Sequence, residues 1–367
     1  MTWRDWAGAE AEGIRATGRW REPRDLDAAG PEGKLAPDGR PVVSFASNDY
    51  LGLTQHPAVV SAAHAALDRW GAGAGSARLI VGSRPVHADL EAALAEWKRT
   101  ERAVLFPTGF ATNLGVLTTF GGPGVLLCSD ELNHASIIDG CRASGSRVEV
   151  YRHRDLDRLE HLLATVAAER ALVVTDTVFS MDGDVADVDA LAAICARHRA
   201  LLVLDEAHTV LGPDPDLPRV DALRVGTLSK TLGSLGGFVA GPRRFTELVV
   251  NRARSYIFTT ALSPADAAAA LAAVAVVRSD EGEALRDRLR DNVTRLRPGH
   301  PSPIVPVVLG DEARTLAAAD ALLEQAMLVP AIRPPTVPPG TSRLRVTLSA
   351  AHTPYQVDAL TAALATL

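Results

Sequence analysis

The sequence predicts an α/β fold, with a large domain built on a mainly parallel sheet and a smaller α+β domain after it. Short, uniformly apolar runs alternate with helical segments between about residues 85 and 240. This pattern is typical of parallel strands that helices cover on both faces. The pattern changes after Pro264, where a long alanine-rich helix precedes a mixture of helices and strands. We predict an N-terminal helix and arm over residues 1–50, a large domain over 51–250 and a small domain over 251–367.

Composition and charge exclude several classes of protein. The 367 residues are 47% hydrophobic and 22% charged, which is typical of a globular chain. A net charge of -6 argues against a nucleic-acid binder held by a general positive field. The longest apolar run, residues 267–277, is too short to cross a bilayer, and the charged N-terminus does not resemble a signal peptide.

The chain has three cysteines, and their spacing fits neither a metal site nor a redox pair: Cys128, Cys141 and Cys195. We predict that they are buried and reduced, as in a cytoplasmic protein.

The elements are predicted in order along the chain. An N-terminal helix precedes an irregular segment that reaches about residue 40. Pro57 suits the first turn of a helix, and Ser263 with Pro264 forms an N-cap and first turn. Helices are predicted over residues 57–70, 85–98, from 109, 156–168, 188–198, from 264, 282–296 and 314–325. Strands are predicted over residues 42–46, 103–106, 125–128, 148–151, 171–175, 201–204, before Lys230, 238–240, 304–309 and 344–348.

A glycine-rich segment over residues 71–78 has some likeness to a dinucleotide-binding fingerprint. The third glycine is missing, because Ser76 or Arg78 stands at its place in the two possible registers. The segment also follows a helix rather than a strand. We therefore interpret it as a flexible loop that passes close to another group, and a nicotinamide enzyme is disfavoured.

Polar residues follow the predicted strands at the point where each strand ends. Ligands of parallel sheets bind beyond these carboxyl ends, so we expect the side chains to converge there. The residues concerned are His134, Ser180, Asp205, His208 and Lys230.

Lys230 lies among small hydroxyl and glycine residues between an apolar strand and a glycine-rich loop. Desolvation there would lower its pKa, and an uncharged amine is a nucleophile toward aldehydes. The alternative is a strand-end lysine that reaches water along its aliphatic stem. This stretch alone does not decide between the two interpretations.

Asp205 and His208 indicate which kind of ligand such a lysine would bind. A buried carboxylate needs a cationic or hydrogen-bonding partner, and a protonated pyridine nitrogen is one. His208 could reach a phenolic oxygen on the same ring. Together with Lys230 this is the residue set of a pyridoxal phosphate site. The alternative for Asp205 is an ordinary cap at the end of a strand.

Two further features agree with a phosphate-bearing planar ligand. Gly109 and Phe110 open a helix after a strand, where free N–H groups bind phosphate, and the Thr227 hydroxyl could join them. His134 could lie flat on a planar ring. The alternative is that His134 is a hydrogen-bonded structural histidine.

Five segments resemble the α-oxoamine synthases, within the fold-type-I pyridoxal phosphate enzymes. They occur in the family's order and span nearly the whole chain: residues 47–52 (SNDYLG), 133–136 (NHAS), 178–184 (VFSMDGD), 205–208 (DEAH) and 227–230 (TLSK). The resemblance implies a homodimeric acyltransferase that joins an amino acid to an acyl-CoA and loses carbon dioxide.

The resemblance assigns cofactor roles to eight residues. Lys230 would bind the cofactor covalently and move the substrate's proton, and His134 would stack on the ring. Asp205 would pair with the ring nitrogen and His208 with the ring hydroxyl. The remaining positions would hold the phosphate region or line the pocket: Gly109, Phe110, Thr227 and Ser180.

The resemblance also assigns substrate positions. Asn48 and Arg345 would bind the amino-acid carboxylate, and Arg19 and Thr336 would contact the acyl substrate. The stretch 331–338 (AIRPPTVP) resembles the family members that use L-alanine and pimeloyl-CoA, or a pimeloyl-carrier protein, and Arg333 would pair there with the distal acyl carboxylate. Glycine C-acetyltransferase and 5-aminolevulinate synthase, which generally lack this arginine, are the alternatives. A remoter alternative is a non-catalytic cofactor-binding protein on the same fold.

The chain departs from the family pattern at two places. Residues 209–213 stand where a glycine-rich continuation is usual, and the connection to Lys230 is short. Asp176 stands where relatives often have glutamate. The first departure concerns the shape of the loop rather than the cofactor site.

Overall fold

The computed structural model describes residues 1–212, 214–217 and 219–367. An N-terminal helix and three strands form an arm: α1 (Trp3–Ala16), β1 (Leu26–Ala28), β2 (Glu32–Leu35) and β3 (Arg40–Ser44). The prediction of an irregular segment before residue 40 is wrong. β1 and β2 pair antiparallel, and β2 pairs with β3, although neither β1 nor β2 carries the apolar alternation of a strand.

A seven-stranded sheet forms the centre of the molecule, in the order β4-β10-β9-β8-β7-β5-β6. Its strands are β4 (Arg102–Phe106), β5 (Val125–Asp130), β6 (Arg147–Tyr151), β7 (Arg170–Asp176), β8 (Leu201–Asp205), β9 (Ala222–Thr227) and β10 (Gly237–Gly241). Neighbouring strands run parallel from β9 to β6, and β10 is antiparallel to both β4 and β9. The predicted mainly parallel sheet is confirmed.

Helices cover both faces of this sheet. They are α2 (Pro57–Trp70), α3 (Pro85–Trp97), α4 (Gly109–Phe120), α5 (Ala135–Ala143), α6 (Leu156–Thr165), α7 (Val188–His198), α8 (Arg243–Arg252), α9 (Arg254–Ile257) and α10 (Pro264–Val277). Successive strand residues point to opposite faces. In β8, Leu202 and Leu204 belong to one buried cluster, whereas Val203 belongs to another. This double burial explains why the strands are apolar throughout.

The cysteines lie in these clusters. Cys128 and Cys195 belong to one, Cys141 belongs to another, and all three are free and buried. Burial raises the pKa of the Cys141 thiol to about 11. The prediction that they are buried is confirmed.

The glycine-rich segment forms a loop that leads into a short π-helical turn, Arg78–Gly82. No described atom lies within 4 Å of a Cβ placed on Gly71, Gly73 or Gly75. The close approach expected there is therefore not made by this chain. The loop instead receives a backbone hydrogen bond from Ala261 at Ser76.

Three strands of the C-terminal segment form a sheet of their own, and a fourth joins the sheet of the arm. The elements of this segment are α11 (Asp280–Leu296), β11 (Ile304–Gly310), α12 (Glu312–Glu324), β12 (Met327–Leu328), β13 (Ala331–Ile332), β14 (Ser342–Thr347) and α13 (Pro354–Leu364). β14 pairs antiparallel with β11 and β13, while β12 pairs with β3 of the arm. The arm and the C-terminal segment thus share a sheet, and the proposed boundaries at residues 50 and 250 stay predictions.

The prediction about the loop after His208, residues 209–213, falls partly on Pro213, which lies outside the described residues. Within the described ranges, no helix is both long enough and apolar enough to cross a membrane.

Candidate active site

The carboxyl ends of β5, β7, β8 and β9 meet at one edge of the large sheet. The segments that follow these strands carry the polar residues singled out from the sequence. Asn133 joins two of the segments, because its Oδ1 atom accepts from the Asp176 N–H at 2.9 Å and its amide donates to Val174 O at 2.9 Å. The strand order therefore brings distant parts of the chain together at this edge.

Lys230 lies in the turn after β9, with its Nζ atom 2.9 Å from Nε2 of His208. Burial lowers the pKa of Lys230, while the nearby carboxylates of Asp205 and Asp176 act in the opposite direction. The tight turn explains Gly233, whose φ is +59° and whose Cβ would lie 2.6 Å from the backbone nitrogen of Thr54. The amine is thus directed into the site rather than to bulk water.

His208 is buried between Lys230 and Tyr50. The Tyr50 hydroxyl lies 2.5 Å from Nδ1 of His208. Burial lowers the pKa of His208 well below its ordinary value, and the charges of Lys230 and Arg345 lower it further. The ring is therefore neutral, with one N–H donor and one acceptor. Tyr50 was part of a recognised segment, but no role for it was predicted.

Asp205 is held at the end of β8 by two donors. Its Oδ2 atom accepts from Nδ2 of Asn113 at 2.6 Å, and its Oδ1 atom accepts from the backbone of Ala207 at 2.9 Å. Asn113 also donates to Ser136 at 2.9 Å. Sequence reasoning missed Asn113, which the structure shows to be buried; its only sequence signal is an amide side chain within a mostly apolar helix.

Asp176 and His134 lie beside Asp205. The backbone N–H of His134 donates to Oδ2 of Asp176 at 2.7 Å, and its ring contacts the Ser136 hydroxyl at 2.7 Å. Burial and the charge of Asp205 raise the pKa of Asp176 well above its ordinary value. The protonated form of Asp176 is therefore favoured beside the Asp205 carboxylate.

The N-terminus of α4 faces Thr227. A Cβ on Gly109 would lie 3.4 Å from Cβ of Thr227, and the Thr227 hydroxyl lies 2.8 Å from that of Ser229. The Thr108 side chain caps the N–H of Ala111. Within the described part of the chain, the N–H groups of Gly109 and Phe110 have no hydrogen-bond acceptor. They form a cradle that suits an anionic group.

Arg345 brings Ser180 and Asn48 together. Its Nε atom donates to the Ser180 carbonyl at 2.5 Å, and a terminal nitrogen donates to Oδ1 of Asn48 at 3.2 Å. Burial lowers the pKa of this guanidinium. The three residues lie on different segments but form one polar corner, with a buried arginine that could pair with a carboxylate.

Arg19 and Arg333 share one partner. Arg19 lies 3.0 Å from Oε1 of Glu312, and Arg333 lies 3.8 Å from Oε2 while also donating to the Gly18 carbonyl at 3.1 Å. Arg19 and Thr336 line a cavity of about 930 Å³ that reaches Asn133. Arg333 is not among the residues that line the cavity, but its contact with Glu312 places it beside Arg19.

The residues fit pyridoxal phosphate by their chemistry. Lys230 offers a desolvated amine for an aldehyde, and Asp205 offers a buried, oriented carboxylate for a pyridinium N–H. The cradle at Gly109 and Phe110 offers unpaired donors for a phosphate. These groups are fixed by the fold before any ligand is considered.

Comparisons with known proteins agree with this chemistry. Residues 40–364 match the family described as aminotransferase class I and II. The 8-amino-7-oxononanoate synthase of Anaeromyxobacter dehalogenans is 50% identical over 380 residues, which cover 98% of this chain and 95% of the relative. The chain therefore belongs to the class I and II aminotransferase family, as a pyridoxal phosphate-dependent acyltransferase. Within that family it belongs with the 8-amino-7-oxononanoate synthases, as the stretch 331–338 with Arg333 indicated.

Two solved structures share the fold. The serine palmitoyltransferase of S. paucimobilis, solved with a pyridoxal phosphate–myriocin adduct, has a TM-score of 0.91 and 30% identity, covering 99% of this chain and 96% of that one. An 8-amino-7-oxononanoate synthase from Francisella tularensis has a TM-score of 0.74 and 26% identity, covering 89% and 97%. The expected fold-type-I architecture is confirmed.

Proposed function

We propose that the protein condenses L-alanine with pimeloyl-CoA, or with pimeloyl on a carrier protein, and releases carbon dioxide and the free thiol. The product is 8-amino-7-oxononanoate, a biotin precursor. The observation that carries this proposal is the convergence of Lys230, His208 and Asp205 in a chain 50% identical to a protein of that name. We further propose that it acts in the cytoplasm as a homodimer.

Each group at the edge of the sheet has a task in this reaction. When bound, pyridoxal phosphate supplies an aldehyde for covalent attachment and a ring that takes up electron density. Asp205 would hold its pyridinium N–H, His208 its ring hydroxyl, and His134 its face. The phosphate would lie at Gly109, Phe110 and Thr227, with Ser180 lining the pocket.

Lys230 moves the proton. Its Nζ atom, once free, accepts the Cα proton of alanine, and its lowered pKa keeps the amine available as a base. Arg345 and Asn48 bind the alanine carboxylate until it leaves as carbon dioxide. A new bond joins the alanine Cα to the thioester carbon while the carbon–sulfur bond breaks and the thiol departs. After the carboxylate has left as carbon dioxide, Cα takes up a proton, which completes the product.

The acyl chain would occupy the cavity of about 930 Å³. Arg19 and Thr336 line this cavity, and Arg333 would reach a distal carboxylate from its place beside Arg19 at Glu312. Each arginine can exchange its contact with the partly exposed Glu312 for a contact with the substrate. A dicarboxylic acyl donor is therefore favoured over acetyl, which has no distal charge, and pimeloyl is favoured over succinyl, whose carboxylate follows a shorter chain.

Acyl-donor specificity tests the proposal. The purified holoenzyme is assayed with alanine, glycine or serine against pimeloyl-, acetyl-, succinyl- and palmitoyl-CoA. Turnover with alanine and pimeloyl-CoA is expected, whereas turnover only with glycine would point to glycine C-acetyltransferase or 5-aminolevulinate synthase. Serine with palmitoyl-CoA is included because of the TM-score of 0.91 to a serine palmitoyltransferase.

A further inference from the structure

Residues 178–184, here called the wall loop, separate the polar corner at Arg345 from the acyl cavity. Cationic side chains hold this loop at alternate positions. Arg345 donates to the Ser180 carbonyl, and Arg343 pairs with the Asp182 carboxylate. His153 contacts the Asp184 carboxylate. The first two cations come from one strand, β14, whereas the third comes from the turn that follows β6.

His153 lies between two carboxylates. Its Nε2 atom is 2.7 Å from Oδ2 of Asp184, and its Nδ1 atom is 3.1 Å from Oδ1 of Asp130. The ring also packs edge-on against Phe179, with 4.3 Å between ring centroids. A neutral imidazole has only one N–H, so both contacts are hydrogen bonds only when the ring is protonated.

The charges around His153 favour that protonated form. Glu131 accepts from the His153 backbone at 2.9 Å, and Arg154 lies 3.5 Å from Asp184. His300 is near enough for Asp184 to affect its pKa. Burial alone would lower the pKa of His153, but its hydrogen bonds to Asp130 and Asp184 raise the pKa to about 9.

The two carboxylates belong to different parts of the site. Asp130 ends β5 and accepts from the Leu132 N–H at 2.9 Å, directly before Asn133 and His134. Asp184 closes the wall loop, because its carbonyl accepts from the Phe179 N–H at 3.0 Å. One imidazolium therefore connects the His134 segment with the wall loop across the cavity.

We propose that His153 is a positioning residue that holds the wall loop against the segment carrying His134. It thereby sets the shape of the acyl cavity and the angle at which His134 meets the cofactor. His153 itself lines the cavity wall without being one of the reacting groups. The part of this inference that concerns the acyl donor rests on the proposed function.

The test compares His153→Gln with His198→Gln, a matched control whose ring lies 3.7 Å from Glu160 at the surface. For His153→Gln, the KM for pimeloyl-CoA should rise roughly tenfold while that for alanine changes less than about twofold, because a misplaced wall affects the acyl group first. In the wild type the same KM should rise as the pH passes about 9, and the variant should lack this transition. Equal effects on both substrates, or an unchanged pH profile, would overturn the proposal.

A second variant removes the same contact through its other partner, so the proposal can still be tested if His153→Gln misfolds. Asp184→Asn keeps the Asp130 contact and should reproduce the change in the acyl-donor KM. The double variant with His153→Gln should be much less than additive, since both changes remove the same contact. Additive losses would contradict the proposed link.

Visible circular dichroism distinguishes a failure of the positioning role of His153 from a failure of the proposed function. The visible circular dichroism of bound pyridoxal phosphate should change in His153→Gln and stay unchanged in His198→Gln. If the wild type forms no product from alanine and pimeloyl-CoA, the proposed function fails, and the dichroism still decides the role of His153. Identical spectra for wild type and both variants would refute the positioning role.

Discussion

Lys230 Nζ and His208 Nε2 lie 2.9 Å apart, although both groups would carry a positive charge if protonated in water. Burial lowers the pKa of each group, and the charge of Lys230 lowers the pKa of His208 further. The two side chains together therefore carry fewer than two positive charges. This arrangement turns a strand-end lysine, which the sequence alone left undecided, into a group suited to nucleophilic attack.

Replacing Lys230 by alanine should abolish the reaction. We expect a loss in kcat of at least about a thousandfold, because both covalent attachment and proton transfer depend on this amine. The visible absorbance of the bound cofactor should change as well. Lys34→Ala, at an exposed lysine of β2, is the control and should keep full activity. Retained turnover in Lys230→Ala would rule out the proposed mechanism.

Replacing Asn113 by alanine should affect both stability and activity. The Asp205 carboxylate would lose a buried donor at 2.6 Å, which costs about 1.5–3 kcal/mol for a hydrogen bond to a charged group. Denaturant unfolding measures this change, and cofactor affinity should fall in parallel. Asn251→Ala is the matched control, because its amide donates to the Glu247 carbonyl at the surface. A variant as stable as the control would show that Asn113 does not hold Asp205.

The fold was largely predictable because its sheet is buried on both faces. Uniform apolar runs such as β5 and β8 have no other common explanation, and helix starts at Pro57 and Ser263 carry local signals. The arm was not predictable from its own residues. β1 and β2 are mostly exposed, so no apolar alternation marks them, and their pairing depends on contacts that only the folded chain supplies.

The site was predictable where residue types follow strands, and unpredictable where one side chain supports another. Lys230, Asp205 and His208 each end an apolar run. Asn113 and His153 lie elsewhere and act through tertiary hydrogen bonds of 2.6 to 3.1 Å. Their partners are up to 92 positions away along the chain, and no local pattern indicates such pairs.

A buried ion cluster forms around Glu206, the residue that follows Asp205. Glu206 lies 2.9 Å from Lys98 and 2.5 Å from Arg224, with the side chains of all three nearly inaccessible to water. Replacing Glu206 by alanine would leave two buried cations with Asp214 as their remaining carboxylate partner. We expect about 3–5 kcal/mol of destabilisation, since removing one member of a buried pair is costly.

Thermal or denaturant unfolding measures that loss. The control is Glu160→Ala, which removes an exposed ion pair with Arg197 and should cost less than about 1 kcal/mol. Similar values for the two variants would mean that the buried cluster contributes little beyond a surface pair.

The stability of the protein should also depend on His153 at alkaline pH. The pKa of His153 rises from 6.5 to about 9 on folding, so the folded state binds the proton more tightly. Its contribution is fully present below about pH 6.5 and is lost as the pH rises through about 9. The difference in unfolding free energy between wild type and His153→Gln should therefore shrink over this window. A difference that stays constant would show that the ring is not protonated in the folded state.

Arg333 should decide which acyl donor is used. It shares Glu312 with Arg19, so removing Arg333 leaves the carboxylate to Arg19 and takes one cation from beside the cavity-lining Arg19. We expect Arg333→Leu to raise the KM for pimeloyl-CoA by roughly 10- to 100-fold, the value of a charge-assisted hydrogen bond of about 1.5–3 kcal/mol. Activity with a monocarboxylic acyl-CoA of the same length should change little, because that donor has no distal charge to pair. Arg295→Leu, which removes an exposed pair with Asp358, is the control. Equal losses with both donors would show that Arg333 supports the fold of its segment and does not bind the distal carboxylate.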